Sequence, residues 1–136
     1  MTKEIIIGGK SYKFRSTAAI PRMYRLRFNR DIFVDMEKLA ENIEASEKKQ
    51  EAERIVAESE GTEYKESSSL PIDSLEMFEN IAYLMNKHGD PSQPEDIDTW
   101  LEQFDTFNIY EILPEILELW NLNNKGISVS KKKDAR

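Results

Sequence analysis

Apolar side chains change their spacing several times along this chain, and each change marks an element. Over Glu4-Ile5-Ile6-Ile7-Gly8-Gly9-Lys10-Ser11-Tyr12-Lys13-Phe14-Arg15 they alternate around two glycines. Gly8-Gly9 can supply the two positive φ angles of a tight turn, so residues 4–15 predict a β-hairpin. Alternation gives it one apolar face, made of Ile5, Ile7, Tyr12 and Phe14. A lone hairpin is marginal in water, so that face needs a cover, and helices are the obvious one.

The period then lengthens. Ser16 or Thr17 can cap a short helix with Pro21 in its first turn, ending near Asn29. Asp31 restarts a second helix, in which Ile32, Met36, Leu39 and Ile43 form one amphipathic stripe. Beyond Ile43 the stripe fades. The Glu-, Lys- and Ala-rich first half of residues 44–69 has the composition to extend the helix into solvent. The second half, Gly61 to Ser69, lacks the apolar surface to offset its ordering entropy. Residues 44–69 are therefore expected to form a flexible acidic insert.

Periodicity returns at residue 70. Asp73-Ser74-Leu75-Glu76 reads as a capping box, followed by the apolar face Leu75, Phe78, Ile81, Ala82 and Met85 and a stop at Gly89. Ser92-Gln93-Pro94-Glu95 opens another helix with Ile97, Trp100, Leu101 and Phe104 on one side. Asn108-Ile109-Tyr110-Glu111 starts a last one carrying Ile112, Leu113, Ile116, Leu117 and Trp120, and Pro114 predicts a kink or late start within it. The expected fold is mainly α: an N-terminal β-hairpin followed by a compact bundle of about five helices. It forms a single domain over residues 1–123 (hairpin 4–15, helices 17–43, flexible acidic insert 44–69, helices 70–122). A disordered basic tail over 124–136 follows.

Charge divides the chain in the same places. Residues 1–30 hold eight Lys/Arg and one acid, residues 31–121 six and 24, and residues 122–136 five and one. A basic entrance, an acidic body and a basic tail favour contacts of specific sign with partners or within the chain. No apolar run is long enough for a membrane span, Met1-Thr2-Lys3-Glu4 does not begin a signal peptide, and there is no cysteine. These features point to a cytoplasm.

Little in the sequence suggests catalysis, and the chain is expected not to be an enzyme. His88 is the sole histidine, and its place before Gly89 suits a side chain favoured by a helix C-terminus. Asp96 and Asp98 lack the spacing of a calcium loop and belong to a first helical turn, where acids are stabilising. Gly8-Gly9 is followed by strand rather than by the helix of a phosphate-binding loop. No cofactor or metal is expected. Lys10, Lys13, Arg15, Arg22, Arg25, Arg27 and Arg30, interleaved with aromatics, could form a nucleic-acid-binding surface over residues 10–30. The acidic body would repel a polyanion, so pairing with acids of this chain or of a partner fits the charge balance better. A merely solvated basic face remains equally consistent. Aromatics crowd the C-terminal half, as core or as a protein-binding patch.

Ser16-Thr17-Ala18-Ala19-Ile20-Pro21-Arg22-Met23-Tyr24-Arg25-Leu26-Arg27-Phe28-Asn29-Arg30-Asp31-Ile32, following a short hairpin, carries a resemblance. So do Leu75-Glu76-Met77-Phe78-Glu79-Asn80-Ile81-Ala82-Tyr83-Leu84-Met85 and Ile97-Asp98-Thr99-Trp100-Leu101-Glu102-Gln103-Phe104. In these segments and their order the chain resembles the tail assembly chaperones of long-tailed phages and prophages of Gram-positive bacteria. Asn29 stands where the family often has glycine, and the acidic insert is longer than usual. The resemblance implies a non-catalytic factor of the host cytoplasm, absent from the mature virion. It would bind the tape measure protein and help recruit tail tube protein. It also raises a frameshifted longer form of the chain, for which an adenine-rich run encoding Lys131-Lys132-Lys133 could be the slip site; an ordinary basic tail is the alternative. Client contacts are expected at Tyr83, Trp100, Phe104 and Trp120, with Arg22 and Arg25 as polar partners. Two other readings are a small nucleic-acid-binding regulator using residues 10–30 and a structural component of the virion.

Overall fold

A computed structural model describes the backbone of residues 1–63 and 70–134, and side chains as far as Asn121 within them. Strands β1 (Thr2–Ile7) and β2 (Lys10–Arg15) form an antiparallel hairpin with Ile5 opposite Tyr12 and Lys3 opposite Phe14. Gly8 and Gly9 have φ of 59° and 81°, the left-handed pair a two-residue turn requires. Ile5, Ile7, Tyr12 and Phe14 are buried while Ile6 between them is exposed, as alternation dictates. The open end is closed by Ser16 N–H donating to the Met1 carbonyl (2.8 Å) and by the terminal ammonium donating to the Ser16 carbonyl (3.0 Å).

Five helices follow: α1 (Ile20–Phe28), α2 (Ile32–Glu60), α3 (Ile72–Gly89), α4 (Ile97–Glu102) and α5 (Ile109–Asp134). The hairpin's buried face rests on α3. Asn86 Nδ2 donates to the Lys13 carbonyl at 2.8 Å, so a strand carbonyl is satisfied from a buried helical side chain. Gly89 belongs to the same contact. Its φ is not left-handed; its need is space, because an added Cβ would overlap the Lys13 carbonyl oxygen and lie 2.9 Å from its carbon. The helix does end at this glycine, as expected, with Asp90 as its C-cap, and the position is also one of close approach of helix to strand.

The α2 stripe is buried as its spacing predicts, from Ile32 and Met36 through Leu39 to Ile43. The helix then continues to Glu60, so residues 44–60 are ordered helix where a flexible insert was expected. Glu and Ala favour that continuation, Lys48 pairs with Glu44 at 3.3 Å, and Ser46 is buried and hydrogen-bonded to Tyr110 at 2.8 Å. Gly61, at φ 71°, caps the end. Residues 64–69, the remainder of the expected insert, lie outside the described residues.

Several caps differ from expectation. Neither Ser16 nor Thr17 caps α1, whose N-cap is Ala19 without a side-chain bond, and α3 begins after Pro71 rather than in a capping box at Asp73. Asp31 and Asp96 are true N-caps, accepting from Phe33 N–H at 2.9 Å and Thr99 N–H at 2.8 Å, an arrangement worth about 1 kcal/mol each. Asn108 Oδ1 likewise accepts from Tyr110 N–H at 2.9 Å as α5 begins. That helix runs through Pro114 without a late start, although Pro114 has no N–H to donate within it. Its backbone is helical to Asp134, and the expected disordered basic tail falls on residues whose side chains are not among those described.

Candidate functional site: the elbow between the first two helices

Three residues join α1 to α2, and each has a backbone or ionic task. Asn29 ends α1 in the left-handed region (φ 56°), its N–H bonded to the Arg25 carbonyl at 2.8 Å, the role a glycine often fills. Arg30 reaches inward. Its Nε and Nη2 donate to the two oxygens of Asp35 at 2.7 and 2.9 Å, and Tyr24 Oη donates to Asp35 at 2.6 Å. Asp35 is only 2% exposed, so this carboxylate survives burial because three donors meet it. Burial raises its pKa; the Arg30 and Tyr24 bonds outweigh that and hold it below the usual carboxylate value. Desolvation first, then the Asp35 carboxylate, pushes the Tyr24 hydroxyl well above its ordinary value. Arg30 Nη2 also reaches Met77 Sδ at 3.6 Å, which ties the elbow to α3.

Outside this lock lies a hollow of about 480 Å³ lined by Pro21, Arg25, Asn29, Asp31, Ile32 and Phe33. Arg22, Arg25, Leu26 and Asn29 fall on one side of α1 by their i, i+3, i+4, i+7 spacing. Phe33, which lines the hollow, is 53% exposed. Leu26 and Val34 on the same two helices are 68% and 59% exposed, and Arg22 and Arg25 also face solvent. Phe33 also stacks obliquely on Trp120 (5.2 Å between ring centres), which backs the rim with the core. An open, apolar and cationic surface can grip a helical or extended segment with apolar side chains and acidic flanks.

The other expected contact residues are placed differently. Trp100 and Tyr83 are fully buried: Trp100 Nε1 donates to Asn86 Oδ1 (2.8 Å), and Tyr83 Oη donates to the Pro94 carbonyl (2.6 Å). Trp120 is 5% exposed. Phe104 is half-buried, packed edge-on against Tyr12 and Trp100 and stacked on Phe107. A chain of this size uses its largest rings for its core, and Trp100, Tyr83 and Trp120 leave the surface for that reason, Phe104 only in part. Arg22 and Arg25 remain exposed, as expected of polar partners, whereas Arg27 lies over the Tyr83 ring (4.9 Å) and donates to the Glu95 carbonyl (2.7 Å).

Phe33 and Val34 were not singled out from sequence. The available signal was that both are apolar and lie off the Ile32–Met36–Leu39–Ile43 stripe, so the core could not absorb them. His88 bonds Thr17 Oγ1 at 2.9 Å, and its pKa is lowered by burial, Arg15 and the terminal ammonium, against the direction of the helix dipole. Among the described residues no three His, Cys, Asp or Glu side chains cluster as metal ligands, and no helix is long and apolar enough to cross a membrane. Comparison with protein-family models, with curated proteins and with solved structures yields no match for this chain.

Proposed function

We propose that this chain is a non-catalytic phage tail assembly chaperone, working in the host cytoplasm and absent from the mature virion. It binds the tape measure protein and helps recruit tail tube subunits around it. The observation that carries the reading is the elbow surface, where Arg25 and Phe33 line an open hollow and Leu26, Val34 and Arg22 stand exposed on the same two helices. A long helical client with apolar stripes would be kept soluble by reversible cover of this kind, and the acidic body would keep the loaded complex soluble. Support comes also from the order of elements, a hairpin followed by a short arginine-rich helix ending at Asn29. The nucleic-acid reading is weaker, because Arg30 is committed to Asp35 and Arg27 to the Tyr83 ring and the Glu95 carbonyl.

The test is co-expression with the tape measure and tail tube proteins of the same genome. The expected result is tape measure protein that becomes soluble and co-purifies only with this chain, and that is lost with the double substitution Arg22→Glu/Arg25→Glu. A tape measure protein that stays insoluble beside the wild-type chain sinks the proposal. Equal rescue by the charge-reversed variant would move the contact away from the elbow.

A further inference from the structure

Past Ser46 only Ala57 of α2 is buried, and the helix presents one solvent-facing strip along its length. At ~100° per residue, Phe33, Val34, Ala45, Ala52, Ile55 and Val56 fall within a strip about 140° wide. The buried stripe of Ile32, Met36, Leu39 and Ile43 lies roughly opposite, about 180° away, so the strip points straight out of the bundle. Its two ends are apolar: Val34 is 59% exposed at one, and Ile55 and Val56 are 57% and 52% exposed at the other. Between these ends the strip carries Ala45 and Ala52 among glutamates and lysines, so large apolar side chains stand exposed at both ends of an otherwise charged outward face.

We propose that a second copy of this chain covers it, through antiparallel pairing of α2 with α2 about a two-fold axis near Ala45. The occupant follows from the order of residues along the helix. When two copies run antiparallel about a point between Glu44 and Ala45, Val34 of each lies level with Ile55 of the other. The apolar ends therefore meet twice, as a closed symmetric contact requires. In the same register Glu41 of each copy lies level with the second copy's Lys48, near the middle of the strip. Opposite charges thus face each other, again twice. Ala45 at the axis and Ala52 nearby allow the helices to approach closely. Shifting the register by one turn loses these contacts, setting Val34 against Ser59 or Glu51.

Competing interactions within one chain are weak. Lys48 pairs with Glu44 at 3.3 Å on an open surface, a kind of bond that exchanges readily. Acids outnumber lysines on the strip, and that repulsion, screened by salt, keeps the association reversible. The pairing rests on other observations than the tail-assembly reading, and because it covers Phe33 and Val34 it would have to open before a client reached them.

The chain has no cysteine, so a single introduced thiol reports on the axis directly. Ala45→Cys is expected to form an intermolecular disulfide rapidly under mild oxidation. Glu53→Cys, exposed but far from the axis, is expected not to. Sedimentation of the unmodified chain is expected to show a concentration-dependent dimer that Val34→Glu or Ile55→Glu weakens at least ~10-fold, since each change enters a symmetric contact twice. Both residues are exposed, and circular dichroism checks that the helix persists. Glu41→Lys and Lys48→Glu are each expected to weaken the dimer, and the double variant to restore it. A monomer at all concentrations with no Ala45→Cys cross-link overturns the proposal. So does a dimer indifferent to Val34→Glu and Ile55→Glu, or a charge-swapped double variant that fails to recover. A strip protected from labelling only when another protein is bound would assign it to that partner and also overturn self-pairing.

Discussion

Replacing Asp35 by alanine should uncouple the elbow, and the cost can be worked from its bonds. The carboxylate is 2% exposed and takes Tyr24 Oη at 2.6 Å and Arg30 at 2.7 and 2.9 Å. Its loss leaves the buried Tyr24 hydroxyl without an acceptor, a cost of about 1–3 kcal/mol. Breaking a fully buried ion pair costs about 3–5 kcal/mol. Arg30 is 47% exposed, however, and can rehydrate, so only a fraction of that applies. Together these give about 2–4 kcal/mol, or a fall in Tm of roughly 10 °C for a chain of this length. Urea unfolding followed by circular dichroism measures it as a lower midpoint with an unchanged slope. Tyr24→Phe alone should cost only about 1 kcal/mol, because Asp35 keeps Arg30, and the double variant should cost less than the sum. The same cluster sets a pH signature. The folded-state pKa of Asp35 lies below its unfolded value, so its stabilisation is complete above about pH 4 and is lost as pH falls through the folded value. The stability gap between wild type and Asp35→Asn should therefore hold steady from neutral pH to about pH 4 and narrow below it. An Asp35→Ala cost under about 1 kcal/mol, or a gap unchanged down to about pH 2, would refute the reasoning.

Gly89→Ala should destabilise by about 1–3 kcal/mol through overlap with the Lys13 carbonyl, read as a lower urea midpoint. Gly61→Ala, where the added Cβ meets nothing but φ is 71°, should cost about 1 kcal/mol through backbone strain alone. Trp100→Phe removes the indole donor from the buried Asn86 Oδ1 and should cost about 2–3 kcal/mol by the same unfolding assay. As the sole histidine, His88 can be titrated by NMR without assignment, and its pKa should fall below the ordinary value. Its charged form is disfavoured in the fold, so stability should be full above about pH 6.5 and decline as pH drops through the folded value. His88→Gln should flatten that slope.

The elements of this fold were legible because local rules agree with one another. Alternation about Gly8-Gly9 marks a hairpin, the spacing of Ile32, Met36, Leu39 and Ile43 marks a helix face, and Asp31 is an acid placed where a helix needs its cap; α4 was expected to open at Ser92–Glu95 and is capped instead by Asp96. Reading was poorest where propensity and burial pull apart. Residues 44–60 lack a core stripe yet stay helical, because Glu and Ala propensity with bonds such as Glu44–Lys48 and Ser46–Tyr110 suffices without one. Of the elbow, Arg22 and Arg25 were expected as contacts and Asn29 and Asp31 as the end of one helix and the start of the next, whereas the lock of Tyr24, Arg30 and Asp35 was not. Trp100, Tyr83 and Trp120 were expected at a surface and are core, since a sequence records that a ring is apolar and not which way it faces.

What the sequence by itself determined is thus the element order, the turn, the buried stripes and the separation of charge, all properties of neighbours along the chain. Tertiary structure alone decided that Gly89 serves closeness to β2, that Asn86 bridges the Lys13 carbonyl and the Trp100 indole, and that Tyr24, Arg30 and Asp35 converge behind the elbow. Those contacts join residues whose separation in sequence carries no period. Their geometry exists only once hairpin and helices have packed, and burial then sets which polar groups must find one another.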